Sequence, residues 1–197
     1  IQAKHGQKPF QEIVDSAREA LSEPPLLVFV SSIMDPQCED LRAERVAAKK
    51  AIEAFPQLTR AWRFEDSPAS PETAGRVYLN KVKECDIFVL VLGKEITRPV
   101  LREYATARKY GKPRLVFLKR CERTSATQAF VEKIRKEVKY VEFNTSDDLD
   151  RRIWIAVATF LIQQARRYNL TAHDIAVLML FLEQLPKVEP MQLEQPP

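Results

Sequence analysis

Polar residues follow three apolar runs of the sequence, at the points where predicted strands end. They are, in chain order, Ser31 with Ser32, Glu65 with Asp66, and Gly93 with Lys94. Because open α/β sheets bind ligands outside the carboxyl ends of their strands, these residues define one candidate site. Hydroxyl and backbone N–H groups there can hold a phosphate, although Ser31 and Ser32 are explained equally well as caps of the segment that follows.

Two charged residues lie beside the apolar stripe of the helix predicted after the first strand. Leu41, Ala48 and Ile52 mark that stripe. At about 100° per residue, Arg45 lies roughly 40° and Glu44 roughly 60° from its centre. A charge so close to a core needs a partner or a polar cleft. An ion pair is the ordinary explanation, and binding of a phosphate or a ribose by Arg45 is the alternative.

Glu103 flanks the apolar stripe of a later helix, beside Val100, Tyr104 and Ala107. A carboxylate in the N-terminal half of a helix is favoured in its ionised form. If it faces a cleft, it can stabilise an oxocarbenium-like centre or act as a nucleophile, as in glycoside chemistry. From spacing alone, an exposed or a dipole-compensating glutamate explains the position better.

The composition argues against several other classes of function. The chain has 45% hydrophobic and 29% charged residues, which is typical of a folded domain. Its net charge of +4 is spread over interleaved acids and bases, so nucleic-acid binding is not expected. Three widely spaced cysteines and two histidines indicate a reduced, cytoplasmic setting without a metal site. There is no glycine-rich phosphate loop and no membrane span, and we expect no resident cofactor.

The elements that must position these residues alternate along the chain. Strands are predicted at 26–30, 59–64, 87–92, 115–118 and 140–143. Helices are predicted at 9–21, 39–54, 71–83, 99–110, 127–136 and 146–168, with a last one from 171. This alternation predicts a three-layer α/β sandwich around a mainly parallel sheet of about five strands, with extra helices at both ends.

The same pattern predicts four parts of the chain. They are a leading amphipathic helix at 1–24, an α/β domain at 25–145, C-terminal helices packing on that domain at 146–185, and a linker to a missing domain at 186–197. The apolar side chains of residues 177–182 are candidates for a self-association surface.

Several motifs resemble an uncharacterised TIR-like domain family. Residues 28–32, followed by Asp40-Leu41 and Glu44-Arg45, resemble its opening signature VFxSS…DLxxER. Two later stretches, 84–89 and 103–107 with 111–113, fit its pattern, so that the resemblance covers about residues 26–143. It implies a flavodoxin-like or TIR-like fold.

The family is similar to TIR domains and nucleoside deoxyribosyltransferases, and this similarity implies a role for Glu103. In those folds a glutamate on the helix after the central strand attacks or stabilises the ribose during N-glycosidic cleavage, and Glu103 stands at the matching position. The sequence departs from them after the central strand, where Gly-x-x-Tyr-Gly is replaced by residues 93–97, and the Asp-Gly-Thr before the glutamate is absent.

Two hypotheses for the function follow. The first is a nucleotide-recognising domain of a multidomain signalling or defence protein, which cleaves NAD or a related nucleotide at its N-glycosidic bond. Glu103 would act on the ribose, and Ser31, Ser32 and Arg45 would hold phosphate or hydroxyl groups. The second is a non-catalytic interaction or sensor module that signals to a downstream domain of the same chain. An open cleft converging on Glu103 favours the first, and a filled cleft with Glu103 in a salt bridge favours the second.

Overall fold

A computed structural model describes residues 24–35 and 37–167, and its sheet has the predicted architecture. All neighbouring strands pair in parallel, in the order β2-β1-β3-β4-β5. The strands are β1 (Leu26–Ser31), β2 (Thr59–Trp62), β3 (Ile87–Leu92), β4 (Arg114–Lys119) and β5 (Tyr140–Phe143). The α/β fold class is therefore confirmed. The second strand ends two residues before its predicted end, because Phe64–Asp66 forms a short 3-10 helix.

Five helices connect and follow the strands. They are α1 (Arg42–Ile52), α2 (Ala74–Glu84), α3 (Arg98–Lys109), α4 (Ser125–Arg135) and α5 (Ser146–Arg167). α1 begins three residues after its predicted start, and there the Asp40 carboxylate accepts the N–H of Arg42 at 3.0 Å. The hydroxyl of Thr145, rather than that of Ser146, accepts an N–H from the first turn of α5.

The pleat of the central strand divides the core between two faces. Phe88, Leu90 and Leu92 belong to one apolar cluster, to which α2, α3 and α4 contribute. The intervening residues of β3 are equally buried and point to the opposite face. α1 and α5 lie together, since Lys50 pairs with Asp150 at 2.7 Å, and both carry buried apolar residues. We infer that these two helices cover the second face.

This division decides where the two serines at the end of β1 point. Phe29 joins the cluster beneath α2, α3 and α4, so Ser31, two residues later, points to the side of α3. Ser32 points the other way, towards α1. The side chains of the consecutive residues Ser31 and Ser32 therefore point towards different helices.

The chain divides into two compact units, residues 24–160 and a second unit formed by residues 1–23 with 161–197. Of the second unit the structure describes only residues 161–167, the end of α5. The predicted leading helix, the helix from 171, the self-association surface at 177–182 and the linker at 186–197 lie outside the described residues. The predicted domain boundaries therefore stay predictions. Among the described helices, none is long and apolar enough to cross a membrane.

Candidate functional site

A buried pair of polar side chains lies at the carboxyl ends of the two central strands. Ser31 is the last residue of β1, and its hydroxyl donates a hydrogen bond of 2.5 Å to Oε2 of Glu103 on α3. Ser31 is 1% exposed and Glu103 is 8% exposed. Val100, Tyr104 and Ala107 are buried on the same side of α3, as the helical spacing predicts. The sheet and the helix thus hold the carboxyl group against the hydroxyl.

Burial raises the pKa of Glu103 to about 7, although the Ser31 hydrogen bond and the positive charge of Arg45 act in the opposite direction. Near pH 7 the carboxyl group is therefore divided between protonated and ionised forms. The prediction of an exposed glutamate is wrong, because the side chain is buried. The expected preference for the ionised form is also wrong, since loss of hydration outweighs the favourable charges.

Arg45 lies on the other side of β1, in a network with Ser32 and Glu65. Its Nη1 donates to Oγ of Ser32 at 2.6 Å, and its Nε donates to Oε1 of Glu65 at 2.8 Å. Nη2 donates to the second oxygen of Glu65, which makes the ion pair bidentate. The predicted ion pair of Arg45 is therefore confirmed. The capping explanation for the two serines is wrong, because α1 begins only at Arg42 and both hydroxyls bind charged side chains.

Glu44 and Asp66, two further predicted residues, have cationic partners elsewhere on this edge. Glu44 is 5% exposed and accepts from Nζ of Lys119, the last residue of β4, at 2.7 Å. Asp66 pairs with Lys49 at 3.1 Å and with Arg63 at 2.8 Å. Neither contact brings these carboxylates to Glu103. In residues 24–35 and 37–167, no group of three or more His, Cys, Asp or Glu side chains could hold a metal ion.

The backbone after β3 binds a side chain that sequence reasoning missed. Oε2 of Glu39 accepts the N–H of Lys94 at 2.7 Å and that of Glu95 at 3.3 Å. A Cβ atom at Gly93 would lie 2.0 Å from Oε1 of Glu39, so a glycine is needed for this close approach. The Lys94 side chain is exposed. Glu39 is 55 residues from Lys94 and lies in a polar loop without periodicity, so no local signal indicated the contact.

A cavity of about 330 Å³ adjoins two of these networks. Its lining includes Ile33, Glu39, Arg45, Arg63 and Glu65, but not Glu103. The volume is at the lower end of the range typical of small-ligand pockets. The structure therefore matches neither expected arrangement in full. Glu103 does not line this cavity, yet its partner is a neutral hydroxyl rather than a cation.

Comparisons with known proteins agree with this fold. The CMP N-glycosidase BcmB of Clostridium botulinum matches with a TM-score of 0.50 and 15% identity, over 66% of this chain and 98% of that chain. At this identity the likeness shows the fold alone. The Flv1 flavodiiron core of Synechocystis is a weaker match, with a TM-score of 0.39 and 11% identity, over 73% of this chain and 38% of that chain. No curated protein sequence matches. Residues 27–158 match the model of the family described as Domain of unknown function (DUF4062), so the predicted resemblance to an uncharacterised family is confirmed and the chain belongs to this family.

Proposed function

We propose that this domain binds a nucleotide and cleaves it at the N-glycosidic bond, with Glu103 acting on the ribose. The observation that carries the proposal is the buried Ser31–Glu103 pair at the carboxyl ends of the central strands. A carboxyl group with a perturbed pKa in such a place is a candidate for chemistry rather than for stability. The shared fold with a CMP N-glycosidase supports the choice of substrate class.

In the proposed reaction, the bond between C1′ of the ribose and the base nitrogen breaks, and its electron pair leaves with the base. The ionised Glu103 carboxylate stabilises the positive charge that develops at C1′ or forms an ester bond to that carbon. Water then supplies a hydroxyl group to C1′, breaking the ester bond and restoring the Glu103 carboxylate where an ester has formed, and its remaining proton goes to the base or to solvent. Ser31 favours the ionised carboxylate by donating to it and fixes its orientation.

The remaining predicted residues would bind the rest of the nucleotide. Arg45 lines the cavity, and with Ser32 it is proposed to hold ribose hydroxyls or phosphate oxygens there. Gly93 and Lys94 would contribute the backbone after β3, which lies at the same edge. Glu44 and Asp66 would keep neighbouring lysine and arginine side chains in place through their ion pairs. We further propose that the domain serves a multidomain signalling or defence protein.

The experiment uses the purified chain at high concentration with CMP and, separately, with NAD. Free cytosine and nicotinamide are quantified by chromatography for the wild type, Glu103→Gln and Glu122→Gln. Glu122 is exposed, so the last variant makes the same chemical change at a solvent-exposed carboxylate that is not among the proposed site residues. We expect release from at least one nucleotide, unchanged in Glu122→Gln and reduced at least about a hundredfold in Glu103→Gln. Equal release by the wild type and Glu103→Gln would refute the role of Glu103, and no release would refute hydrolysis of these two nucleotides.

A binding module without catalysis is the second candidate. It is favoured by the closed state of the edge, where Glu39 occupies the backbone amides after β3 and Glu103 is buried. Titration calorimetry with CMP and NAD discriminates the two candidates. Binding that is equal in the wild type and Glu103→Gln, without release of a base, would favour the module.

A further inference from the structure

The backbone amides of Lys94 and Glu95 converge on one carboxylate oxygen, that of Glu39. The distances from the two nitrogen atoms to Oε2 are 2.7 Å and 3.3 Å. Two N–H groups directed at one anionic oxygen form the kind of concavity in which proteins bind phosphate. Here the anion in that position comes from the chain itself, so the carboxylate oxygens of Glu39 stand in for the oxygens of an external anion.

The surface beneath the carboxylate is shaped for a close approach. A Cβ atom at Gly93 would lie 2.0 Å from Oε1 and 2.5 Å from both Cδ and Oε2 of Glu39. The backbone dihedral φ of Gly93 is not positive, so the glycine is not required by its conformation. The missing side chain therefore provides space for an anion on the backbone, directly after the buried strand β3.

The amide pair is fixed by its own surroundings. The carbonyl group of Lys94 accepts the N–H of Thr124 at 3.1 Å, which ties the segment after β3 to the segment after β4. Gly93 directly follows Leu92, the buried last residue of β3. The donors are thus held in place whether or not Glu39 is bound to them.

Glu39, in contrast, lies on a loop whose hydrogen bonds are largely local. The carbonyl oxygen of Asp35 accepts the N–H groups of Cys38 at 3.1 Å and of Glu39 at 3.0 Å. Buried residues, Ile33 at 3% exposure and Leu41 at 1%, hold the two ends of the loop. Glu39 itself is only half-buried.

We propose that the Lys94 and Glu95 amides above Gly93 are a phosphate-binding site, which Glu39 closes from within and which a nucleotide phosphate opens by displacing it. The class of ligand rests on the proposed function, whereas the anion site and its internal occupant do not. Lys94 and Lys119 lie on the same edge, and their positive charges attract a phosphate as well as the Glu39 carboxylate.

The expected effect follows from competition between the two anions. The apparent Kd of a ligand equals its intrinsic Kd divided by the fraction of molecules in which the site is open. If Glu39 occupies the amides in about 90% of molecules or more, removing its carboxylate tightens phosphate binding at least about tenfold. Removing an equal charge elsewhere on the surface changes the affinity much less, because solvent screens it.

The test measures binding of CMP, cytidine and inorganic phosphate in a Glu103→Gln background, so that no turnover occurs. The variants are Glu39→Ala, Glu39→Gln, the double variant Glu39→Ala/Gly93→Ala, and Glu122→Ala as the matched loss of one exposed carboxylate. Backbone ¹H–¹⁵N spectra report on the amides of Lys94 and Glu95 directly and show whether each variant is folded.

We expect Glu39→Ala to bind CMP and phosphate at least about tenfold more tightly, with the Lys94 and Glu95 resonances shifting on titration. Glu39→Gln should show a smaller gain, since its amide oxygen can still accept the two N–H groups. Cytidine binding and the Glu122→Ala variant should stay within about twofold of the reference. The added Cβ of the double variant should abolish the gain.

An equal gain in Glu39→Ala and Glu122→Ala, or a gain that survives in the double variant, would overturn the proposal, as would folded Glu39→Ala and Glu39→Gln proteins with unchanged affinity. If the nucleotide hydrolysis assay detects no release of a base, the interpretation of these binding measurements does not change. The two proposals therefore fail independently.

Discussion

The buried carboxyl group of Glu103 makes the stability of the domain depend on pH in a defined window. Its pKa is about 7 in the folded protein and is expected near the ordinary 4.5 in the unfolded chain. Between these values the folded protein keeps a proton that the unfolded chain releases. Its contribution is therefore most favourable below pH 4.5, and it is lost as the pH rises towards 7. Above pH 7 the loss levels off.

The size of this effect follows from the two pKa values. Their difference corresponds to roughly 3 kcal/mol over the whole window. Between pH 5 and pH 8 the loss is about 2–3 kcal/mol, because part of the titration of the unfolded chain lies below pH 5. The Glu103→Gln variant has no such titration and keeps an oxygen that can accept from Ser31. Over this range, its stability relative to that of the wild type should therefore rise by about 2–3 kcal/mol.

Urea denaturation of both proteins at pH 5, 6, 7 and 8 measures the difference. Other titrating groups are common to the two proteins, so their contributions cancel when the free energies of unfolding are subtracted. The difference should grow most steeply between pH 5 and pH 7 and level off by pH 8. Parallel curves across the range would refute the reasoning, because they would mean that Glu103 titrates alike in the folded and unfolded states.

Three further predictions concern neighbouring contacts. Ser31→Ala removes a donor that lowers the pKa of Glu103, so a carboxyl ¹³C titration should place that pKa above the wild-type value near 7. Arg45→Met leaves Glu65 without its bidentate partner and should lower the free energy of unfolding by roughly 2–4 kcal/mol, with partial recovery when Glu65→Gln is added. Thr59→Val removes a buried hydrogen bond of 2.6 Å to the last carbonyl group of α1 and should cost about 1 kcal/mol in urea denaturation, whereas no loss would show that the hydroxyl finds another partner.

The elements with the strongest local pattern were predicted most accurately. Residues 87–92 form a continuous apolar run and are a buried strand with those bounds. Residues 140–143 are also a strand as predicted. On α3, helical spacing correctly placed Val100 and Tyr104 in the core. These successes share one cause, since apolar periodicity reports directly on which side of an element is buried.

The partners of the charged residues could not be predicted in the same way. Spacing placed Glu103 beside the core, but its hydrogen-bond partner is Ser31, 72 residues earlier. The partner of Arg45 proved to be Glu65 rather than the adjacent Asp66, which the 3-10 helix after β2 directs to other cations. Which carboxylate pairs with a given cation depends on the tertiary geometry. A shift of one residue in a turn can change that partner.

The polar groups at this edge differ in the free energy needed to break their present contacts so that they can bind a ligand. Arg45 is 4% exposed, and its guanidinium donates to Ser32 and to both oxygens of Glu65. Breaking that network would leave a buried charge without its partner, which is among the most costly changes in a protein. Glu39 is half-buried, so its carboxylate can return to water while a phosphate takes over both amides. We therefore expect a nucleotide to displace Glu39 before it disturbs Glu65, with Arg45 keeping its ion pair at the side of the cavity.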